Sequence, residues 1–248
     1  MDKKCYKTQI PEWLSRTELL IGQEKVAKLQ NAHVLVVGLG GVGAFAAEML
    51  ARAGVGTLTI VDSDVIKPSN RNRQILALKS TENKHKVKLM KERLLDINPE
   101  ISINTVQQFL NRNNITDLLT ERYDYVIDAI DTLSPKLFLI VNTIKNNYPL
   151  ISSMGAGGKI DPFKVKIDDI SKSYNCMLAR MIRKKLNKFG IKRGFDVVFS
   201  TELVNKSAVI FVEDEPNKKT TVGTLSYMPA IFGIFAASKV IRELIKND

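Results

Sequence analysis

Glycines 38, 40 and 43 fall in the stretch GLGGVG, directly after the run HVLVV, and are spaced G-x-G-x-x-G. At a strand-to-helix turn the first glycine permits the tight reversal and the second lets main-chain N–H groups approach phosphate oxygens. The third lets helix and strand pack closely. The orphan amides and the dipole at the helix N-terminus then attract an anion without any side-chain charge. About twenty residues further on, Asp62 ends the run TLTIVD, where a carboxylate accepts hydrogen bonds from ribose hydroxyls. This much suits a nicotinamide or flavin dinucleotide as well as a nucleoside triphosphate.

The following residues, DSDVIKPSNRNRQ, favour the triphosphate. Hydride transfer gives a loop of cations there nothing to do, yet Asn70, Arg71, Arg73 and Gln74 crowd the phosphate end of the crevice. The planar fork of arginine matches polyphosphate oxygens and the charge that develops during phosphorus chemistry. Lys86, on the next helix, can reach a terminal phosphate. In IDAID, Asp128 and Asp131 stand at the carboxyl end of a strand. Asp131, the outer one, is placed to hold magnesium between phosphates, or else to cap the helix that opens near Ser134.

Presenting these groups together requires strands that end at one edge. HVLVVG, TLTIVD, ISINTVQ, YDYVIDAID and PLISSMG read as strands, and AFAAEMLARAG, NKHKVKLMKERLLDINP and SPKLFLIVNTIKNN as helices between them. The alternation predicts an α/β, Rossmann-like architecture with a mostly parallel sheet flanked by helices. Beyond GAGGKIDP the pattern weakens to FKVKIDDIS, a basic helix, DVVFSTE and AVIFVED, which read as a C-terminal extension of the same sheet. The expected plan is one domain, with a nucleotide-binding core over 1–156 and a substrate-facing extension with a terminal helix over 157–248.

At 248 residues, 44% hydrophobic and 25% charged, the chain can bury a sizeable core. Its formal net charge of +11 makes nucleic acid or an anionic membrane surface a reasonable partner. The N-terminus lacks the apolar middle of a secretory signal, so a cytoplasmic location is expected. The most apolar stretch, Val222 to Val240, is broken by Pro229 and Gly233 and reads as a buried terminal helix, with no membrane span expected. Cys5 and Cys176 form no Cys-x-x-Cys pair, so no zinc is expected. His33 reads as structural, His85 as exposed, and Trp13 as packing at a dimer or lobe interface.

GLGGVG, D-x-D, SNRNRQ, K-x-K-V and DAID, in that order and spacing, resemble the ubiquitin-activating-type adenylyltransferases, which activate a carboxylate with ATP. SRTELLIG, NRQILAL, GAGGKIDP and VVFSTE are similar to the branch of tRNA threonylcarbamoyladenosine dehydratases, and with them the likeness spans nearly the whole chain. The resemblance implies a ThiF-type adenylyltransferase domain, with Gly41, Asp62, Asn70, Arg73, Lys86 and Asp131 contacting ATP or its magnesium ion. It also implies a homodimer to which Arg16 is contributed across the interface, and it leaves room for a sulfur-relay protein partner. The implied reaction activates the threonyl carboxylate as an acyl-adenylate, after which the carbamoyl group closes a ring, water is lost, and AMP and pyrophosphate are released. The alternative within the superfamily, activation of a ubiquitin-like sulfur carrier, usually comes with two Cys-x-x-Cys pairs, which are missing. Some relatives carry a cysteine within DVVFSTE, where this chain has Val197.

The resemblance gives the basic segment a partner. Eight basic residues and no acidic one lie between Asp169 and Asp196. Leu178, Ile182, Leu186 and Phe189 recur at helical spacing, leaving Arg183, Lys184 and Lys188 off the apolar stripe. With Arg71, Arg180 and Lys185, these are the expected tRNA contacts, the alternative being a solvated helix face. Tyr174 and Phe195 are expected as core residues, or else as platforms for a splayed base. A nicotinamide dehydrogenase and a non-catalytic RNA-binding module complete the alternatives.

Overall fold

Four consecutive residues of HVLVV, Val34 to Val37, are buried, as expected of a parallel strand covered on both faces. This strand is the centre of the structure. The computed structural model describes residues 10–211 and 220–246. Helices α1 (Ser15–Ile21) and α2 (Gln23–Gln30) lead into β1 (His33–Val37), α3 (Gly43–Arg52), β2 (Thr57–Val61), α4 (Lys86–Ile97) and β3 (Ser102–Val106). Next come α5 (Ile115–Leu118), β4 (Tyr125–Asp128), α6 (Leu133–Lys145), β5 (Leu150–Ser153) and β6 (Val165–Asp169). The chain continues through α7 (Met177–Leu186), β7 (Asp196–Ser200), β8 (Val209–Phe211), β9 (Thr220–Val222) and α8 (Tyr227–Leu244).

Seven strands form one sheet in the order β3-β2-β1-β4-β5-β7-β6, parallel throughout except where β6 runs against β7. The expected mostly parallel α/β sheet is therefore present, and β7 and β6 extend it. The run AVIFVED does not. Its described part, β8, pairs only with β9 in a separate two-stranded ladder. Because β1 lies between β2 and β4, the chain turns outward in both directions from it, which opens a crevice at the carboxyl ends of these strands.

Side chains alternate across the pleat. Val34 and Val36 face a core built with α3, α4 and α8, whereas Leu35 and Val37 face one built with α5, α6 and α7. Glu48 of α3 ties this helix to α4 through Arg93, 2.6 Å away. The terminal helix α8 packs on α3. A side chain at Gly233 would overlap the carbonyl oxygen of Val42, so the two helices cross at backbone contact. Among the described residues no helix is long and apolar enough to cross a membrane.

Asp128 and Lys136 form a fully buried ion pair at 2.8 Å. Ser152 Oγ donates to Asp128 at 2.6 Å, the Ile130 N–H donates at 3.1 Å, and Lys136 Nζ also donates to the Ile130 carbonyl at 2.9 Å. Asp128 thus shapes the loop after β4 instead of facing the crevice. Removing one partner of such a pair strands the other charge. Asp128→Ala is expected to lower stability by about 3–5 kcal/mol, and Asp128→Leu with Lys136→Met to recover most of that loss, as read by urea unfolding.

Candidate nucleotide site

The turn after β1 is set by sterics. Gly38 has φ +92°, and a side chain there would meet the Ala129 carbonyl oxygen at 2.9 Å. A methyl on Gly43 would overlap the Gly38 carbonyl oxygen. Gly40 is different, since a Cβ would find only Gln74 Nε2 at 3.8 Å. The second glycine is the one that leaves its approach side open. Gly41 is wedged between the C-terminal helix and the arginine loop, with Pro229 Cβ 2.9 Å and the Arg73 carbonyl oxygen 3.2 Å from where its Cβ would stand.

Asp62 follows β2 and accepts from the Leu39 N–H at 2.6 Å and the Asp64 N–H at 2.8 Å. Burial raises its pKa above the usual carboxylate range, with the Lys86 ammonium pulling the other way. An ionised carboxylate has about four acceptor sites, so hydroxyl donors can still be received. Lys86 opens α4 and is buried, with Nζ 2.8 Å from Asp64 and 3.8 Å from Asp62. It is not a free arm extended toward solvent, because these two carboxylates already hold it.

The SNRNRQ loop folds on itself. Asn70 Oδ1 accepts from the Lys67 N–H at 3.0 Å. One guanidinium nitrogen of Arg73 donates to the Ser69 carbonyl at 2.9 Å and to Asn72 Oδ1 at 2.8 Å. Asn72 in turn donates to the Thr224 carbonyl at 3.1 Å, tying the loop to the segment that leads into α8. Gln74 is buried, and its Oε1 has no partner among the described residues. A buried carbonyl oxygen without a donor is costly. Its position beside Gly40 fits a site completed by a ligand donor. Asp131 is exposed beyond β4. Among the described residues no three acidic, histidine or cysteine side chains cluster to hold a metal unaided. A magnesium ion at Asp131 would need phosphate oxygens and water to complete its shell.

Other expected residues are placed as follows. Arg71 pairs with Glu82 at 3.4 Å. Arg16 is exposed on α1, which packs against α2, next to Leu19 and Leu20 at 88% and 84% exposure. On α7 the buried stripe is Ala179, Ile182 and Leu186. Phe189 is instead exposed, because the helix ends at Leu186 and a 3-10 turn closes at Gly190. Arg180, Lys184 and Lys188 are exposed and Lys185 is half-buried. Arg183 is turned inward, donating to the carbonyl and hydroxyl of Ser173. The segment does not lack acidic partners altogether, since Lys172 pairs with Asp168 at 3.0 Å. Phe195 is core, whereas Tyr174 is half exposed and edge-on to Phe199. His33 is structural, bonded to Thr59 at 2.8 Å and edge-on to Tyr123. His85 is half-buried rather than exposed. Val197 is buried in β7. Cys176 is buried, and Cys5 lies outside the described residues.

Sequence reasoning did not find Lys136 and Ser152, which hold Asp128 beneath the site, or Thr224 and Pro229, which tertiary packing brings to Asn72 and Gly41. The ThiF family model matches residues 14–248. The chain belongs to the ThiF family. Within that family it is 40% identical over 244 residues to the tRNA threonylcarbamoyladenosine dehydratase of Bacillus subtilis, covering 94% of both chains. The crystal structure of the Escherichia coli tRNA N6-threonylcarbamoyladenosine dehydratase in complex with ATP superposes with a TM-score of 0.87. It has 35% identity and covers 94% of each chain. The AMP complex of the same enzyme superposes at 0.86, covering 96% of this chain and 98% of that one.

The turn makes two glycines experimentally distinct. Gly43→Ala is expected to destabilise the protein by about 3 kcal/mol or more, through its clash with Gly38. Gly40→Ala is expected to stay within about 1 kcal/mol of the unaltered chain, because its methyl meets only ordinary contact; urea unfolding of both variants measures the difference.

Proposed function

We propose that this chain dehydrates N6-threonylcarbamoyladenosine in tRNA, an ATP-dependent, ligase-type cyclisation that yields AMP and pyrophosphate. The observation that carries the proposal is the extent of the likeness. The Bacillus subtilis dehydratase matches along nearly the whole chain, beyond the nucleotide-binding part. One ThiF-type domain performs the reaction, with 1–156 binding ATP and 157–248 facing the tRNA.

ATP is bound as a substrate across Gly38, Gly40, Gly41 and Gly43, with Asp62 receiving ribose hydroxyls. Asn70, Arg73 and the Nε2 amide of Gln74 serve the phosphates, Gln74 Oε1 accepts from a ligand hydroxyl or amine, and Lys86 contributes positive charge beside Asp62. Magnesium, which Asp131 would hold together with phosphate oxygens and water, supplies further charge neutralisation. A carboxylate resists acyl attack because it is anionic and would have to expel oxide. One threonyl carboxylate oxygen therefore bonds to the α-phosphorus, and the bond to pyrophosphate breaks. Arg73, with Arg16 of a second protomer, stabilises the charge that builds in this displacement. The exposed Leu19 and Leu20 beside Arg16 give α1 an apolar face suited to that protomer.

The carbamoyl group then bonds to the activated acyl carbon, a proton is lost, and AMP departs. An attached nucleophile has a high effective molarity, so no covalent enzyme intermediate is needed. This agrees with a buried valine, not a thiol, at position 197. Arg180, Lys184, Lys185 and Lys188 supply the tRNA-binding charge. Arg71 and Arg183 would have to leave Glu82 and Ser173 to join them.

The test is incubation of the protein with ATP, magnesium and tRNA bearing threonylcarbamoyladenosine, followed by digestion and mass measurement of the nucleosides. A product lighter by one water is expected. Arg73→Ala and Asp131→Ala should each slow its formation by about a hundredfold or more. Lys184, Lys185 and Lys188→Gln should raise the KM for tRNA and flatten its salt dependence by about one unit per lost phosphate contact. No lighter nucleoside, together with pyrophosphate exchange driven by a small carrier protein, would overturn the proposal in favour of sulfur-carrier activation.

A further inference from the structure

At the amino ends of β4, β5 and β7, the edge opposite the nucleotide crevice, lies an open cavity of about 410 Å³. Asp124, Tyr125, Asp169, Asp196, Lys239 and Glu243 supply its polar lining. Asp169 reaches this edge because β6 runs against β7, which sets it opposite Asp196. Four carboxylates thus meet one ammonium, in a chain of formal net charge +11.

The carboxylates are not equivalent. Lys239 Nζ bridges Asp196 at 2.7 Å and Glu243 at 2.8 Å. Asp124 accepts from the His33 N–H at 2.8 Å, and Asp169 from the N–H groups of Ser171 at 2.8 Å and Gly194 at 2.7 Å. Among the described residues neither forms an ion pair with lysine or arginine. Tyr125, next to Asp124 in β4, is only 5% exposed, and its phenol, near Lys239, Asp196 and Glu243, has no hydrogen-bond partner among the described residues. Burial pushes this phenol up to about 12, so at neutral pH it is uncharged and offers an oxygen acceptor.

The spacing selects a shape of ligand. Asp124 precedes β4 and Asp169 ends β6; the order β4-β5-β7-β6 puts three strand spacings between them, and Asp169 stands level with Ile127, three residues beyond Asp124, so their backbones are about 17 Å apart. Carboxylates so far apart do not chelate one metal ion, and no metal-holding cluster occurs among the described residues. Leu150 and Phe195 form apolar wall in the same cavity.

We propose that this cavity binds a small linear aliphatic oligoamine, its terminal ammonium groups at Asp124 and Asp169 and its methylenes along Leu150 and Phe195. With the reach of the two aspartate side chains, an extended triamine closes that distance. Its inner amine donates to the Tyr125 oxygen, and burial of the methylenes adds apolar stabilisation. The site is separate from the nucleotide crevice and does not depend on the reaction performed there.

Isothermal titration of the full chain with spermidine, without nucleotide or tRNA, tests this. One saturable site is expected at physiological salt, weakened about tenfold by Asp124→Asn, which keeps an acceptor for the His33 amide, and severalfold by Tyr125→Phe. Magnesium chloride should not displace spermidine at equal charge. The proposal is overturned if no saturable heat appears up to millimolar spermidine, if both variants, shown folded by circular dichroism, bind like the unaltered chain, or if magnesium displaces the amine.

Discussion

The turn between β1 and α3 exists only while two backbones touch. A side chain on Gly43 would overlap the Gly38 carbonyl oxygen, and one on Gly38 would press on the Ala129 carbonyl at 2.9 Å. That contact seats the start of α3 against the end of β1 and brings in the loop after β4. The N–H groups at the helix start then face the crevice where the sheet order reverses. Gly41 extends the constraint outward, since its missing side chain admits both Pro229 of α8 and the Arg73 backbone. The terminal helix is thereby part of the site, although it lies far away in sequence.

A second regularity concerns charge. The carboxylate at or just after the end of each of two strands is answered by a lysine from the helix that follows. Asp62 and Asp64 hold Lys86, the first residue of α4, and Asp128 holds Lys136 in α6. Buried charges need partners, and these pairs fix the loops after β2 and β4. Arg73, bonded to Ser69 and Asn72, and Asp131, exposed just past β4, are the groups that the proposal assigns to the phosphates and their metal. Local sequence thus sets the strand ends, packing sets the pairs, and the pairs position the outer groups.

The fold was legible in the sequence because its signals are local. Buried β-branched runs, glycine spacing and alanine-rich helices gave the βαβ order, and Asp62 was found by its distance from the glycines. Partnerships were less visible. Asp64 was seen within D-x-D, but its hold on Lys86 depends on where α4 begins, and Lys136 reads as one more helical lysine until Asp128 is found buried beside it. Arg183 looked like a surface cation because a helical wheel does not show Ser173 beneath it. Phe189 continued an apolar period past the point where the helix stops. AVIFVED read as sheet, yet strand propensity does not choose a partner, and among the described residues β8 pairs with β9 alone.

The most direct measurement is a crystal structure of the protein with a non-hydrolysable ATP analogue and magnesium. The triphosphate is expected across the turn from Gly38 to Gly43, with Asn70 and Arg73 within hydrogen-bonding distance of its oxygens and Asp131 beside the metal. A nicotinamide dinucleotide preferred in that crevice, or bound ATP far from Asn70, Arg73 and Lys86, would contradict the account.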